Sequence, residues 1–280
     1  MPHRFLPYLF SALLLGFPLA AAAQTAEHLP LFDGHMHYNQ EARELISPQE
    51  VIDLWQRLNI QYVLATSRPN EGSLDLIALA KKTAPAIKIF PFLRPYQIQA
   101  DRYDWFKSEK IQAYVHTELK RGIYKGIGEF HLFGKDAEAP YVAAIARLAK
   151  ERGLWLHAHC DEYALERLLA HAPGVKIIWA HTGMSTPLSQ VDALFAKYPQ
   201  IMGELSFRND LLVGEKKLDP RWLALLTKYP TRFMLGTDTW INQRWAYVPE
   251  LIAYYRKVLA QLPLPLAENL AFKNGLAALQ

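Results

Sequence analysis

The chain has 280 residues, of which 51% are hydrophobic, with 31 basic against 27 acidic side chains and a formal charge of +4. Such a composition supports a large core, and so mild a positive charge demands no nucleic-acid partner. The one cysteine, Cys160, excludes an intramolecular disulfide and is expected to pack as a small apolar group rather than act as a nucleophile.

Residues 1–23, MPHRFLPYLFSALLLGFPLAAAA, place Arg4 before an apolar stretch from Phe5 to Phe17 and small residues ending at Ala21, Ala22 and Ala23. This is the pattern of a secretory signal cleaved after Ala23. Its apolar run is shorter than the ~20 residues of a spanning helix, so no membrane anchor is expected after cleavage. The expected location is periplasmic or secreted. Residues 24–280 then carry 30 basic and 27 acidic side chains, a formal charge of +3. Their number suits a single (β/α)8 barrel, which runs to ~250 residues.

Eight β-rich runs follow in order: LPLFDGHMH, IQYVLATS, IKIFPFLRP, YKGIGEFHLF, LWLHAHC, VKIIWAHTG, IMGELSFR and FMLGTDTW. Helical patterns separate them. In SPQEVIDLWQRLN, Ser47 is placed to cap and Pro48 suits the first helical position, and PYVAAIARLAKERG ends on Gly153. DEYALERLLAHAPG, PLSQVDALFAKYP, DPRWLALLTKYP, VPELIAYYRKVLAQLP and ENLAFKNGLAAL complete the series. Continuous apolar runs joined by helices indicate parallel strands buried on both faces, and eight of them in this length favour a closed barrel over an open sheet. The least regular stretch, PYQIQADRYDWFKSEKIQAYVHTELKRG, reads either as a loop over the barrel mouth carrying Tyr96, Tyr103, Trp105 and Phe106, or as an ordinary third helix.

Metal-ligand residue types recur at the downstream ends of these runs: His35 and His37, Glu129, His159, His181 and Asp238. In a parallel barrel those ends share one rim, so residues scattered over some two hundred positions can surround one ion. His35 and His37, two apart in a strand, point to the same face. The fifth run offers both His157 and His159. His159, nearer the strand end, is preferred as the ligand, with His157 packed below or donating to a ligand. A carboxylate at Asp238 can touch an ion and accept a proton from water that the ion has acidified, and then pass it to a leaving group.

In this order the motifs FDGHMH, GIGEFH, WLHAHCD, IIWAHTG and LGTDTW resemble those of the amidohydrolase superfamily, in the subgroup of amidohydrolase-related metal-dependent hydrolases. The resemblance covers essentially all of 24–280. It implies one or two divalent ions held by His35, His37, Glu129, His159, His181 and Asp238, with Asp238 catalytic. Many relatives have a carboxylated lysine on the fourth strand. Here Glu129 stands in its place, as in TatD-type nucleases, and Lys125 is expected to lie too deep to substitute. Zinc is the expected ion, with manganese and iron as alternatives.

For the substrate, Arg68, Arg94 and Arg208 follow the second, third and seventh runs and can hold a carboxylate or phosphate in bidentate fashion. His131 shares the face of Glu129, and Trp240 and Trp245 are candidates for an apolar wall or for helix packing. The arginines together lean toward an anionic substrate, and with the ligand set and the resemblance the expected reaction is hydrolysis of an amide, ester or lactone in a small molecule. The alternatives are a TatD-like phosphodiesterase, which the modest charge disfavours, a metal-dependent decarboxylase, and a periplasmic binding protein without turnover. Oligomeric state is left open.

Overall fold

The strand-forming runs become eight parallel strands in a computed structural model that describes residues 26–214 and 216–280; the expected signal segment 1–23 lies outside them. The strands are β1 Leu31–His37, β2 Ile60–Thr66, β3 Lys88–Leu93, β4 Gly126–Leu132, β5 Trp155–Cys160, β6 Lys176–Trp179, β7 Ile201–Glu204 and β8 Phe233–Met234. They pair in chain order and every pairing is parallel, with helices in the crossovers. This is a single-domain (β/α)8 barrel.

The last seam, between β1 and β8, closes through individual bonds instead of a long ladder. Gly34 N donates to Leu235 O (2.7 Å) and Asp238 N to His35 O (2.6 Å). The Asp33 carboxylate accepts from Thr237 N (2.9 Å) and Thr237 Oγ1 (2.6 Å). Thr239 Oγ1 accepts from His37 N (3.0 Å) and donates to His37 O (2.9 Å). Glycine is required where the strands approach: a Cβ on Gly34 would lie 2.5 Å from Met234 Sδ and 2.8 Å from Leu235 O.

Two apolar layers support the barrel. Outside, strand and helix faces bury residues such as Val51, Trp55, Val63, Ile127, Leu165, Trp222 and Tyr255. Inside, Phe32, Leu64, Phe90, Phe92, Trp155, Ile178, Met202 and Met234 plug the lower end. Phe32 stacks on Phe90 and Tyr62. The closing segment from Leu264 to Leu279 covers this end, and Asn274 donates to the carbonyls of Pro230 and Phe233.

Local sequence signals explain most helices. Ser47 and Glu50 form a capping box ahead of the helix Pro48–Leu58. A helix at Glu71–Thr83, not singled out in the sequence, fills the second crossover. The helix that follows β8 starts at Asn242, ahead of the VPEL run, and carries Pro249 inside it. The irregular third crossover is both things at once: Ala100–Tyr103 and Trp105–Lys107 form short 3₁₀ turns at the mouth, and Glu109–Glu118 is an ordinary helix.

Because Thr237 is the donor to a buried carboxylate oxygen in the closing seam, Thr237→Val keeps the shape and removes the bond. It is expected to cost ~1–3 kcal/mol, the desolvation penalty of an unsatisfied buried acceptor. Urea unfolding checks this, and an unchanged midpoint would show that the seam does not depend on this contact.

Candidate metal centre

The upper rim brings all six candidate ligands together. His35 Nε2 lies 3.0 Å from His37 Nε2, 3.4 Å from Asp238 Oδ1 and 3.6 Å from Glu129 Oε1. His159 presents Nδ1 to Glu129 Oε1 (3.0 Å) and to His181 Nε2 (3.2 Å). His181 Nε2 lies 3.9 Å from Asp238 Oδ2. All are buried except His159, whose side chain is 21% exposed and faces a cavity of about 470 Å³.

The strands reach this geometry by departing from regularity. The β4–β5 register shifts between Gly128 and Phe130, so Glu129 sits at a bulge, and the β1–β2 register shifts between Asp33 and Met36. Bulges re-aim side chains next to functional sites. His181 (φ 57°) and Asp238 (φ 48°) have left-handed backbones, a strained choice for non-glycine residues. Asp238 does not cap the following helix, whose N-cap is Ile241.

A seventh side chain, absent from the sequence reading, organises the others. Glu204 at the end of β7 is fully buried and accepts from His35 Nδ1 (2.8 Å), His181 N (3.1 Å) and Ser206 Oγ (2.8 Å). Ser206 Oγ, having donated to Glu204, is left to accept from His181 Nδ1 (2.8 Å). Both rings therefore turn the lone pair of Nε2 into the site, which is how a carboxylate behind an imidazole prepares a metal ligand. A Cβ on Gly236 would stand 2.2 Å from Glu204 Oε1, so this carboxylate needs the glycine opposite it. The signal was present: Glu204 ends an apolar run, in IMGELSFR, as the other ligand types do.

The electrostatics favour a cation. Burial opposes ionisation of Glu129, yet His131, His35 and bonds from His159 and His181 hold its carboxyl well below the usual range. Burial is likewise outweighed at Asp238 by His35, His37 and His181, and at Glu204 by His35. The same carboxylates outweigh burial at His35 and favour positive charge there. Three carboxylates thus face one fixed cation, Arg94, whose Nη1 lies 3.4 Å from Glu129 Oε2. A divalent ion answers that imbalance. Donor separations of 3.0–3.9 Å, from His159 Nδ1–Glu129 Oε1 to His181 Nε2–Asp238 Oδ2, are also close to the edges of a coordination shell, ~3.0–3.4 Å for bonds of ~2.1 Å. Asp238 Oδ1 is buried and accepts no directed hydrogen bond.

His157 lies below the ligands. It is fully buried, edge-on to His35 at 4.3 Å between centroids, and neither of its nitrogens has a hydrogen-bond partner. Burial, together with His35, pushes its pKa well below the ordinary value. Lys125 sits at the opposite end of β4, its Nζ beside Gln280 O, far too low to bridge ions. Cys160 is buried, with its thiol pushed up by burial.

The substrate candidates divide. Arg94 enters the centre itself, donating to His37 Nδ1 (2.9 Å) and to Tyr96 OH (2.9 Å). Arg68 edges the cavity while bound to Glu41 and Gln99. His131 lines it too, with Nδ1 3.0 Å from Tyr96 OH and its ring stacked on His159; burial pulls its pKa down to about 3. Arg208 is a correction: it does not line this cavity, because its guanidinium is committed to Thr182 O, Thr186 O and Asp210 and lies over Trp222. Arg102, from the mouth loop, lines the cavity in its stead. Trp240 forms part of the wall, whereas Trp245 is buried against Tyr38.

No family profile matches the chain, and no curated protein is significantly similar to it in sequence. Solved structures do share its fold. A presumed 2-pyrone-4,6-dicarboxylic acid hydrolase from Pseudomonas putida has a TM-score of 0.55 at 17% identity, over 90% of this chain and 98% of that one. An amidohydrolase from Burkholderia multivorans, with bound zinc, has 0.55 at 13% identity, over 89% and 98%. A probable 2-pyrone-4,6-dicarboxylic acid hydrolase from Acinetobacter baumannii, with citric acid bound, has 0.58 at 11%, over 90% and 99%. At these identities the likeness is one of fold.

Glu204→Gln retains an acceptor for His35 but removes its charge. Metal affinity is expected to fall ~10–100-fold, as for other hydrogen-bond partners of ligands, with the fold intact. Chelator competition with zinc reads the affinity and circular dichroism the fold.

Proposed function

We propose that the chain is a metal-dependent hydrolase of the amidohydrolase kind, cleaving an ester, lactone or amide bond in a small anionic molecule. The observation that carries this reading is the convergence of buried imidazoles and carboxylates at the floor of a cavity of about 470 Å³. The fold is shared with amidohydrolases and with presumed hydrolases of a dicarboxylated pyrone, a cyclic ester, which supports the lactone end of that range. Zinc is the proposed ion, since imidazole and carboxylate donors suit it and one neighbour of this fold holds it.

A divalent ion held by these residues supplies Lewis acidity for water and for the scissile carbonyl. The chain's own groups do the rest. Asp238, buried and ionised, stands at the rim facing His35 and His37 and accepts the proton of the attacking water. On collapse of the tetrahedral intermediate, the same carboxyl returns that proton to the leaving oxygen or nitrogen. Arg68 and Arg102 offer positive charge to an anionic substituent, and Phe106, Phe133, Phe207 and Trp240 supply flat apolar walls. Such walls favour a planar substrate. We also propose export, which rests on the leader 1–23 alone.

Asp238→Asn preserves shape and still offers an oxygen to a cation, but cannot take the proton. At saturating zinc, kcat is expected to fall ~10²–10⁴-fold with little loss of folding. The assay is a screen of carboxylated lactones, esters and amides with chelator-treated and zinc-restored protein. Turnover unaffected by metal removal would sink the metal-dependent reading, and an Asp238→Asn enzyme within a few-fold of wild type would assign the proton to another group.

A further inference from the structure

The two histidines of β1 are not equivalent, because a different partner stands behind each ring. Behind His35 is Glu204, whose Oε2 is 2.8 Å from Nδ1. Behind His37 is Arg94, whose Nη1 is 2.9 Å from Nδ1. A guanidinium has five N–H donors and no acceptor, so the nitrogen it faces must carry the lone pair. A carboxylate does the reverse. A neutral His35 is therefore protonated at Nδ1 and bare at Nε2, whereas a neutral His37 is bare at Nδ1 and protonated at Nε2. The two Nε2 atoms lie 3.0 Å apart, in hydrogen-bonding alignment. The set forms one consistent chain: Arg94 donates to His37, His37 to His35, and His35 to Glu204.

We propose that Arg94 is a positioning residue that sets His37 as a hydrogen-bond donor, so that the cation is held by His35, His181, Asp238 and Glu129 with His159, and not by the β1 pair jointly. The second half rests on the metal-dependent reading above; the first does not. Donor overlap supports the same division. His35 belongs both to a cluster with His181 and Asp238 and to one with His37 and Glu129, but it has a single free lone pair to give. In the first cluster His181 also arrives bare at Nε2, through Ser206. In the second, His37 arrives with a proton where a ligand needs a lone pair. Asp238 Oδ1, a buried oxygen that accepts no directed bond, lies 3.0 Å from His37 Nε2 and is the acceptor left to that N–H once the lone pair of His35 is taken. His37 then steadies the carboxylate that handles the proton. Arg94 is itself fixed, buried and tied to Tyr96 OH.

The direct test is the tautomer of His37 in the metal-free full chain, read by long-range ¹H–¹⁵N correlation on ¹⁵N-histidine protein and assigned by the signal lost in His37→Gln. A bare Nδ1 and protonated Nε2 are expected, and a protonated Nδ1 on His37 in the wild type overturns the proposal. This arm needs no variant of Arg94 to fold. In Arg94→Met, if folded by circular dichroism, the preference should be lost, and its persistence would show that Arg94 does not set it. For the ligand set, zinc competition with a chelator is expected to show His35→Gln weaker than His37→Gln by at least ~10-fold, since the latter loses only a hydrogen-bond partner. Equal losses overturn that half. If the wild type binds no stoichiometric zinc, the metal-dependent reading fails while the tautomer result stands by itself.

Discussion

Everything at the rim depends on the seam between β1 and β8. The strand ladder of β8 is only two residues long, so the closing contacts come from Asp33, Thr237, Thr239 and the backbone of Gly34, His35 and Asp238. This seam joins residues about two hundred apart in sequence, and it sets Asp238 against His35 and His37 at 3.4 and 3.0 Å. A carboxylate on a free loop would keep its water; one held by its own N–H on His35 O is forced to exchange water for imidazoles. The seam therefore determines the chemistry of Asp238 as well as its position.

Electrostatics then decide what the cluster attracts. The three carboxylates Glu129, Asp238 and Glu204 are kept ionised by histidines and hydrogen bonds despite burial. Their field favours positive charge at His35. With Arg94 donating to His37, a proton on His35 Nε2 would point at the proton on His37 Nε2 only 3.0 Å away. A cation meets the same demand without that collision. The cost of burying the Arg94 guanidinium is offset by its bonds to Tyr96 and His37 and its proximity to Glu129.

The barrel and the rim cluster were legible because strand ends in a parallel barrel converge, so one-dimensional placement carries three-dimensional information. The same rule applied to IMGELSFR would have found Glu204. It was missed because the ligand pattern already looked complete without it. Arg208 misled for a physical reason: following a strand does not fix where a long side chain goes, and carbonyls at Thr182 and Thr186 captured it. The choice of His159 over His157 followed strand-end position, and the structure places His159 at the cavity and His157 beneath it. Arg102 could not be found that way, since its place at the mouth depends on the 3₁₀ turns Ala100–Tyr103 and Trp105–Lys107. Nor does spacing alone say which partner stands behind each imidazole.

Strain and packing divide the barrel along its axis. His181, Thr182, Phe207 and Asp238 all have positive φ, and all lie beyond the ends of β6, β7 and β8. Each such residue costs of order 1–3 kcal/mol, comparable to the ~1.5–3 kcal/mol gained by burying one large apolar side chain. The lower end supplies such side chains in quantity: Phe32, Phe90, Phe92, Trp155 and Met234 fill the interior there and make no contribution to the rim chemistry. The placement is asymmetric for a reason. A left-handed turn aims a side chain inward at a strand end without lengthening the loop, and a bulky residue such as Phe207 holds that conformation only where its ring is pinned. Here it is pinned from both sides, by the edge contact with His181 and by Arg244, whose guanidinium lies 4.1 Å from the ring centroid. Arg244 in turn donates to Thr237 O, one residue from Asp238, so the strained wall of the cavity and the closing seam are braced by the same side chain.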